Sequence, residues 1–150
     1  MTVFEAADGL SGSTLGKGIG AILLYAIVGL VLMIVGFYAV DLTTPGKLRD
    51  LVRAGKPNAT YITGAGMLSM AFIIVVAIYA AGGELLAGLT YAVVFGLVGI
   101  VAQIVSVRLL DLVTGVDLDE LMHADVFLPQ ARVIAGAHIA LGLIVAVAVF

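Results

Sequence analysis

Two strongly polar side chains stand inside otherwise apolar runs: Gln103 in GIVAQIVSV and His138 in VIAGAHIALG. An imidazole with a reference pKa of about 6.5 can titrate if water reaches it, and a neighbouring amide can orient it. Two chemistries are open to such a pair in lipid. One is an interhelical hydrogen bond that spares each group an unsatisfied state, and the other is a polar constriction that responds to protons. Zinc-type chemistry is not indicated. The only other histidine, His123, is fifteen residues from His138, which is not a helix-spaced ligand pair, and the chain has no cysteine. The apolar runs contain no acid to complete a serine–histidine–acid group, so the chain is read as a non-enzyme with no cofactor and no metal.

The remaining reactive groups are charges gathered in two stretches. Residues 41 to 60, DLTTPGKLRDLVRAGKPNAT, hold four of the seven Lys and Arg residues: Lys47, Arg49, Arg53 and Lys56. Residues 108 to 132 carry Arg108 and Arg132 against Asp111, Asp117, Asp119, Glu120 and Asp125, so the stretches differ as +2 against −3. Opposite charge makes them candidate docking surfaces, within the chain or between chains. The competing reading is two separately solvated faces, since exposed ion pairs are each worth only ~0–1 kcal/mol.

The elements that position these groups follow from composition. With 63% hydrophobic and 11% charged residues and a mean hydropathy of +1.25, the chain lies far from the soluble balance and reads as an integral membrane protein whose first partner is the bilayer. Four apolar segments, 19 to 40, 61 to 81, 85 to 107 and 133 to 150, contain no Asp, Glu, Lys or Arg. Each is near the ~20 residues that cross a bilayer as a helix, and backbone satisfaction in lipid excludes open strands of that length. The fold class expected is all-α, with four transmembrane helices in one bundle. Gln103 lies seven residues before Leu110 and His138 seven after Ala131, so both sit ~10 Å from the same end at 1.5 Å per residue and could face each other.

Both charged stretches lie on one side, because two spans separate them, and together they hold six of the seven cations. The positive-inside rule places that side in the cytoplasm and both termini outside. Residues 1 to 18 are read as a retained extracytoplasmic tail. Their GSTLGKG lacks the first glycine and the terminal hydroxyl of a phosphate loop, so no nucleotide and no nucleic acid is expected. Within 41 to 60, Thr44 and Pro45 read as a helix start and Gly55 as a stop. Leu48, Leu51 and Val52 form one apolar face, suited to a short helix lying in the headgroup region, and Leu118, Leu121 and Met122 keep that triad in the second stretch, so a short amphipathic helix is expected in each loop.

The chain also repeats itself. At a shift of 70, residues 28 to 52 match 98 to 122 at ten of twenty-five places, and at a shift of 72 PNATYITGAG matches PQARVIAGAH at five of ten. The polar matches Asp41/Asp111 and Thr44/Thr114 are not apolar coincidences. Two parallel two-helix repeats are expected, 19 to 81 and 85 to 150, related by a pseudo-two-fold axis along the membrane normal. Small residues spaced by four, Gly88, Ala92 and Gly96 in one span and Gly136 and Ala140 in another, predict close helix packing.

The Asp-x-x-Thr-Pro-Gly exit of the first span, with Asn58-Ala59 entering the second, resembles the bacterial inner-membrane family called YjfL-like, or domain of unknown function 350. The resemblance implies four helices in two repeats, a plasma-membrane location, and gene neighbourhoods shared with spermidine-synthase-like or ATP-grasp proteins. It implies no activity. In the second copy Pro45 becomes Gly115 and Asn58 becomes Gln130. The function expected is a non-catalytic homo-oligomeric scaffold or accessory subunit that docks a cytoplasmic or membrane partner through its loops. The alternative is a small channel or transporter for a cation or polyamine.

Overall fold

The computed structural model describes residues 12–43 and 46–149; the first eleven residues of the predicted tail, Thr44 and Pro45 of the loop motif, and Phe150 lie outside the described residues. The chain forms α1 (Gly12–Thr43), α2 (Leu48–Arg53), α3 (Pro57–Ala80), α4 (Leu85–Thr114), α5 (Leu118–His123) and α6 (Gln130–Val147). Four of these, α1, α3, α4 and α6, are long and apolar enough to cross a membrane.

The helices overrun the apolar segments because lipid does not set their ends. α1 begins at Gly12 rather than Ile19, so the Gly/Ser segment before it is helical: no proline there interrupts the ladder of backbone hydrogen bonds. α4 continues through Arg108 and Asp111 until Gly115 adopts the left-handed conformation, φ 62°, that ends many helices. α3 starts on Pro57, whose missing N–H costs nothing in the first turn.

α3 is the hub of the bundle. It packs most extensively on α6, then on α4, and α4 packs in turn on α1 and α6. A two-fold axis exchanging α1 with α4 and α3 with α6 would convert the α3–α4 interface into an equal α1–α6 interface. Among the described residues α1 and α6 make no comparable contact, so the helix packing does not show the expected pseudo-two-fold. The contacts are those of two hairpins laid side by side in the same sense, with α3–α4 as the diagonal. α1 is the outlier, with 6% of its most apolar stretch buried against 39% for α3.

The short helices do not lay their apolar faces in a headgroup layer. Leu48 and Leu51 of α2 and Leu118, Leu121 and Met122 of α5 are buried in one cluster with Ala59, Ile62, Val107, Ala131 and Ile134. Val52 is half-buried against it. A six-residue helix is too short to hold itself together in isolation, and burying each leucine here removes surface worth roughly 1.5–3 kcal/mol against water. α2 and α5 therefore form a cap on one end of the bundle.

Each short helix starts differently. In α5 the Asp117 carboxylate accepts from the Glu120 N–H at 3.0 Å, a side-chain cap. The equivalent residue before α2 is Lys47, which holds φ at 52° and offers no acceptor. Asp41 supplies it from the end of α1, accepting from the Arg49 N–H at 3.0 Å. Asp111, the counterpart of Asp41, is exposed and has no equivalent capping bond among the described residues, so the two loop motifs are built differently.

Candidate functional site

A close approach of α3 and α6 sets up the site. A Cβ on Gly142 of α6 would stand 2.9 Å from the Cα of Ser69 on α3 and 2.8 Å from its Cβ, so only glycine lets the two backbones meet there. This differs from the expected packing face of α6. Gly136 and Ala140 are exposed, and the buried face is Ala131, Ile134, Ala135, His138 and Gly142. On α4 the expected residues Gly88, Ala92 and Gly96 are all buried.

Beside that contact, Ser69, Gln103 and His138 converge from α3, α4 and α6, each at most 3% exposed. Ser69 Oγ–H donates to the backbone carbonyl of His138 at 2.7 Å. The Gln103 Nε2 amide donates to Ser69 Oγ and, more weakly, to the same carbonyl at 3.4 Å. A carbonyl only accepts, so the amide nitrogen must face it, and Gln103 Oε1 is left to accept from His138 Nδ1–H. The tautomer of the neutral ring follows: His138 carries its proton on Nδ1, which leaves the lone pair on Nε2. The structure thus brings Gln103 and His138 together and adds Ser69, which sequence reasoning did not single out. A serine in a span ordinarily returns its hydroxyl to its own helix. Thr63 does so to the Ala59 carbonyl at 2.6 Å and Thr90 to the Leu86 carbonyl at 2.8 Å.

Between this network and the cap lies a cavity of about 40 Å³, with Gln103, His138, Thr63 and Gly66 at its polar side and Leu48, Leu118 and Met122 of the cap above. It has room for a few water molecules or one ion. No Asp, Glu, Lys or Arg lines it.

The cap itself is locked by Asn58, a residue with no exposed surface. Its amide nitrogen donates to the carbonyls of Leu121 and Val126 at 3.0 and 2.9 Å, and its oxygen accepts from the Leu128 N–H at 2.8 Å. Sequence reasoning placed Asn58 only in the family pattern and missed this clamp. Gly46, at φ 85°, meets the ring of His123 so closely that a Cβ would stand 2.8 Å from Nε2, joining the two loops at a second point.

The charged residues are arranged around this cap. Lys56 pairs with Asp125 at 2.6 Å, and that hydrogen bond and charge hold the Asp125 carboxyl below its ordinary value. His123 contacts the Asp119 carboxylate at 3.2 Å. Lys47, Arg49 and Arg53 make no ion pair with Asp117, Asp119 or Glu120 among the described residues, and all six are exposed except for the cap hydrogen bonds already given. Thr114 bonds its own helix at the Leu110 carbonyl, 2.6 Å away, and receives the Val116 N–H at 3.3 Å. Among the described residues no group of three or more His, Asp or Glu side chains is placed to hold a metal ion.

Comparison with known proteins gives a consistent family signal. The profile described as Domain of Unknown Function (DUF350) matches residues 14–149. A UPF0719 transmembrane protein of Mycolicibacterium paratuberculosis is 36% identical over 134 residues, covering 89% of each chain. UPF0719 transmembrane proteins of Mycobacterium bovis and Mycobacterium tuberculosis are each 38% identical over 80 residues, 53% of either chain. No solved structure matches.

Proposed function

The chain belongs to the family described as Domain of Unknown Function (DUF350), a family of transmembrane proteins, and from that membership we propose that it is a non-catalytic, oligomeric membrane component that docks a partner through its loop cap. The observation that carries this reading is the construction of the cap. Asn58 and a ten-residue apolar cluster fix two short helices on the bundle end, while Lys47, Arg49 and Arg53 on one and Asp117, Asp119 and Glu120 on the other point their charges outward. Exposed charges of both signs that do not pair across the two short helices suit a complementary surface better than a lipid headgroup layer, which repels the acidic half. The cap faces the cytoplasm in this reading, because it gathers six of the seven cations, and the hairpins derive from a duplicated unit.

The test is charge reversal with rescue. Arg49→Glu with Arg53→Glu should reduce the mass of the complex that elutes in mild detergent, and adding Asp119→Arg with Glu120→Arg should restore it if the loops of neighbouring copies pair. Loss without rescue assigns the basic face to a different protein, and an unchanged mass in all variants removes the docking role, since only the coupled effect reports pairing.

A second reading, a small channel or transporter for a cation or polyamine, is favoured by the cavity that runs from the cap to Gln103 and His138. Protein-dependent flux in liposomes that His138→Leu abolishes would support it.

A further inference from the structure

The chain has five methionines, and the four that follow Met1 all line the one cavity beneath the cap. They arrive from three elements: Met33 from α1, Met67 and Met70 from α3, and Met122 from α5. His138 of α6 lines the same space. Apolar filling explains individual methionines, which adapt to irregular gaps. It does not explain why all four line the one space that His138 also lines.

That nitrogen is prepared in the way a metal-bound histidine is prepared. Nδ1–H is committed to Gln103 Oε1, and Gln103 is itself fixed by Ser69 and the His138 carbonyl. A hydrogen bond from the distal ring nitrogen to a carbonyl sets tautomer and ring orientation in histidine ligands. Nε2 is left with a lone pair and no hydrogen-bond partner among the described residues. No described side-chain nitrogen or oxygen is both fully enclosed and unpartnered, so Nε2 keeps some accessible surface, and His138 is among the residues that line this cavity.

Size and charge narrow the occupant. About 40 Å³ is an order of magnitude below the ~300 Å³ and more of small-molecule sites, which leaves water or an ion. With no carboxylate in the lining, a hard or divalent cation would stay uncompensated. Thioether sulfur and neutral imidazole instead select soft ions, and Cu(I) above all. We propose that the cavity beneath the cap is a binding site for a soft monovalent metal ion of the Cu(I) class, held by His138 Nε2 and thioether sulfurs drawn from Met33, Met67, Met70 and Met122. Gln103 and Ser69 are its positioning residues, since they fix the imidazole without touching the ion. Sequence reasoning passed over the site because it counted histidine, cysteine and carboxylate spacing, and methionines in an apolar chain look like core. The site stands on the bundle alone and does not depend on the docking reading.

The test uses the full chain in detergent micelles, with methionine methyl groups labelled and each signal assigned by a Met→Leu substitution. Ag(I) serves as the redox-inert probe, followed by Cu(I) under anaerobic conditions against a Cu(I) chelator. The proposal expects at least two of the four cavity methyl signals to shift and to saturate at about one equivalent, with Zn(II) and Mg(II) producing no shift. His138→Gln should weaken Ag(I) binding about ten-fold or more, and Met→Leu at all four cavity positions should abolish it; Met→Leu is a volume-conserving swap. Any of three results overturns the proposal: cavity signals that do not move, equal affinity in the four-fold Met→Leu variant, or Zn(II) binding as tightly as Ag(I). Should that variant fail to fold, Met33→Leu with Met70→Leu and His138→Gln separately still decide the matter, because unchanged affinity in both excludes the site.

Discussion

His138, Gln103 and Ser69 bond one another across three helices, and each is at most 3% exposed. Removing one member leaves the others unsatisfied, at a cost of ~1–3 kcal/mol for a buried polar group. His138→Leu is therefore expected to lower thermal stability by about that amount, measured by unfolding in detergent. Gln103→Leu should do the same, and the double substitution should cost less than the sum of the two, because the partners are removed together. Additive losses would show that the two side chains do not depend on each other. Asn58 offers a sharper case. Asn58→Asp keeps the acceptor for the Leu128 N–H but cannot donate to Leu121 and Val126, so it should loosen the cap, seen as faster proteolysis within 118–129 than in the wild type. At this scale the sequence was legible where polarity broke an apolar run. Gln103 and His138 stood out by type and by matched depth. Ser69 did not, because a serine is neutral in a span, and Asn58 did not, because it sits where a span and a loop meet and its partners are backbone carbonyls with no sequence identity.

Helices were legible as elements and less so in their ends and their neighbours. Hydrophobic length marked α1, α3, α4 and α6, but lipid-crossing length is not helix length, and α1 and α4 run to 32 and 30 residues. The apolar triads of α2 and α5 were visible in sequence; whether they met lipid or protein was not, since both partners are apolar. The cap makes a pH prediction with a definite sign. Asp125 is held below its ordinary value by Lys56, so the ion pair stabilises the folded loop above the unfolded carboxyl's range and is lost as pH falls through the lowered value. The difference in thermal stability between wild type and Asp125→Asn should be present at neutral pH, begin to fall as pH enters the ordinary carboxyl range near about 4, and vanish only below the lowered value. A difference that grows on acidification would contradict the assignment. The orientation of the elements has its own test. Cysteines introduced at Gly12 and Gly83 should react with an impermeant thiol reagent on intact cells and one at Gly55 should not, and labelling at Gly55 alone would invert the topology.

The whole molecule is a bundle with a built cap at one end and an under-packed first helix along one side. The tandem pattern in the sequence suggested a two-fold arrangement, and helix contacts instead place the hairpins side by side. Matched residues do not say which faces pack, and the α3–α6 face depends on a glycine, Gly142, that the repeat pattern does not mark. The docking role proposed for the cap requires no conduction through the bundle. Reconstitution into liposomes tests this most directly, with flux of potassium, protons and a polyamine measured for the wild type, His138→Leu and Gln103→Leu. The account predicts no protein-dependent flux in any of the three, and a flux in the wild type that either substitution abolishes while the fold is retained would contradict it.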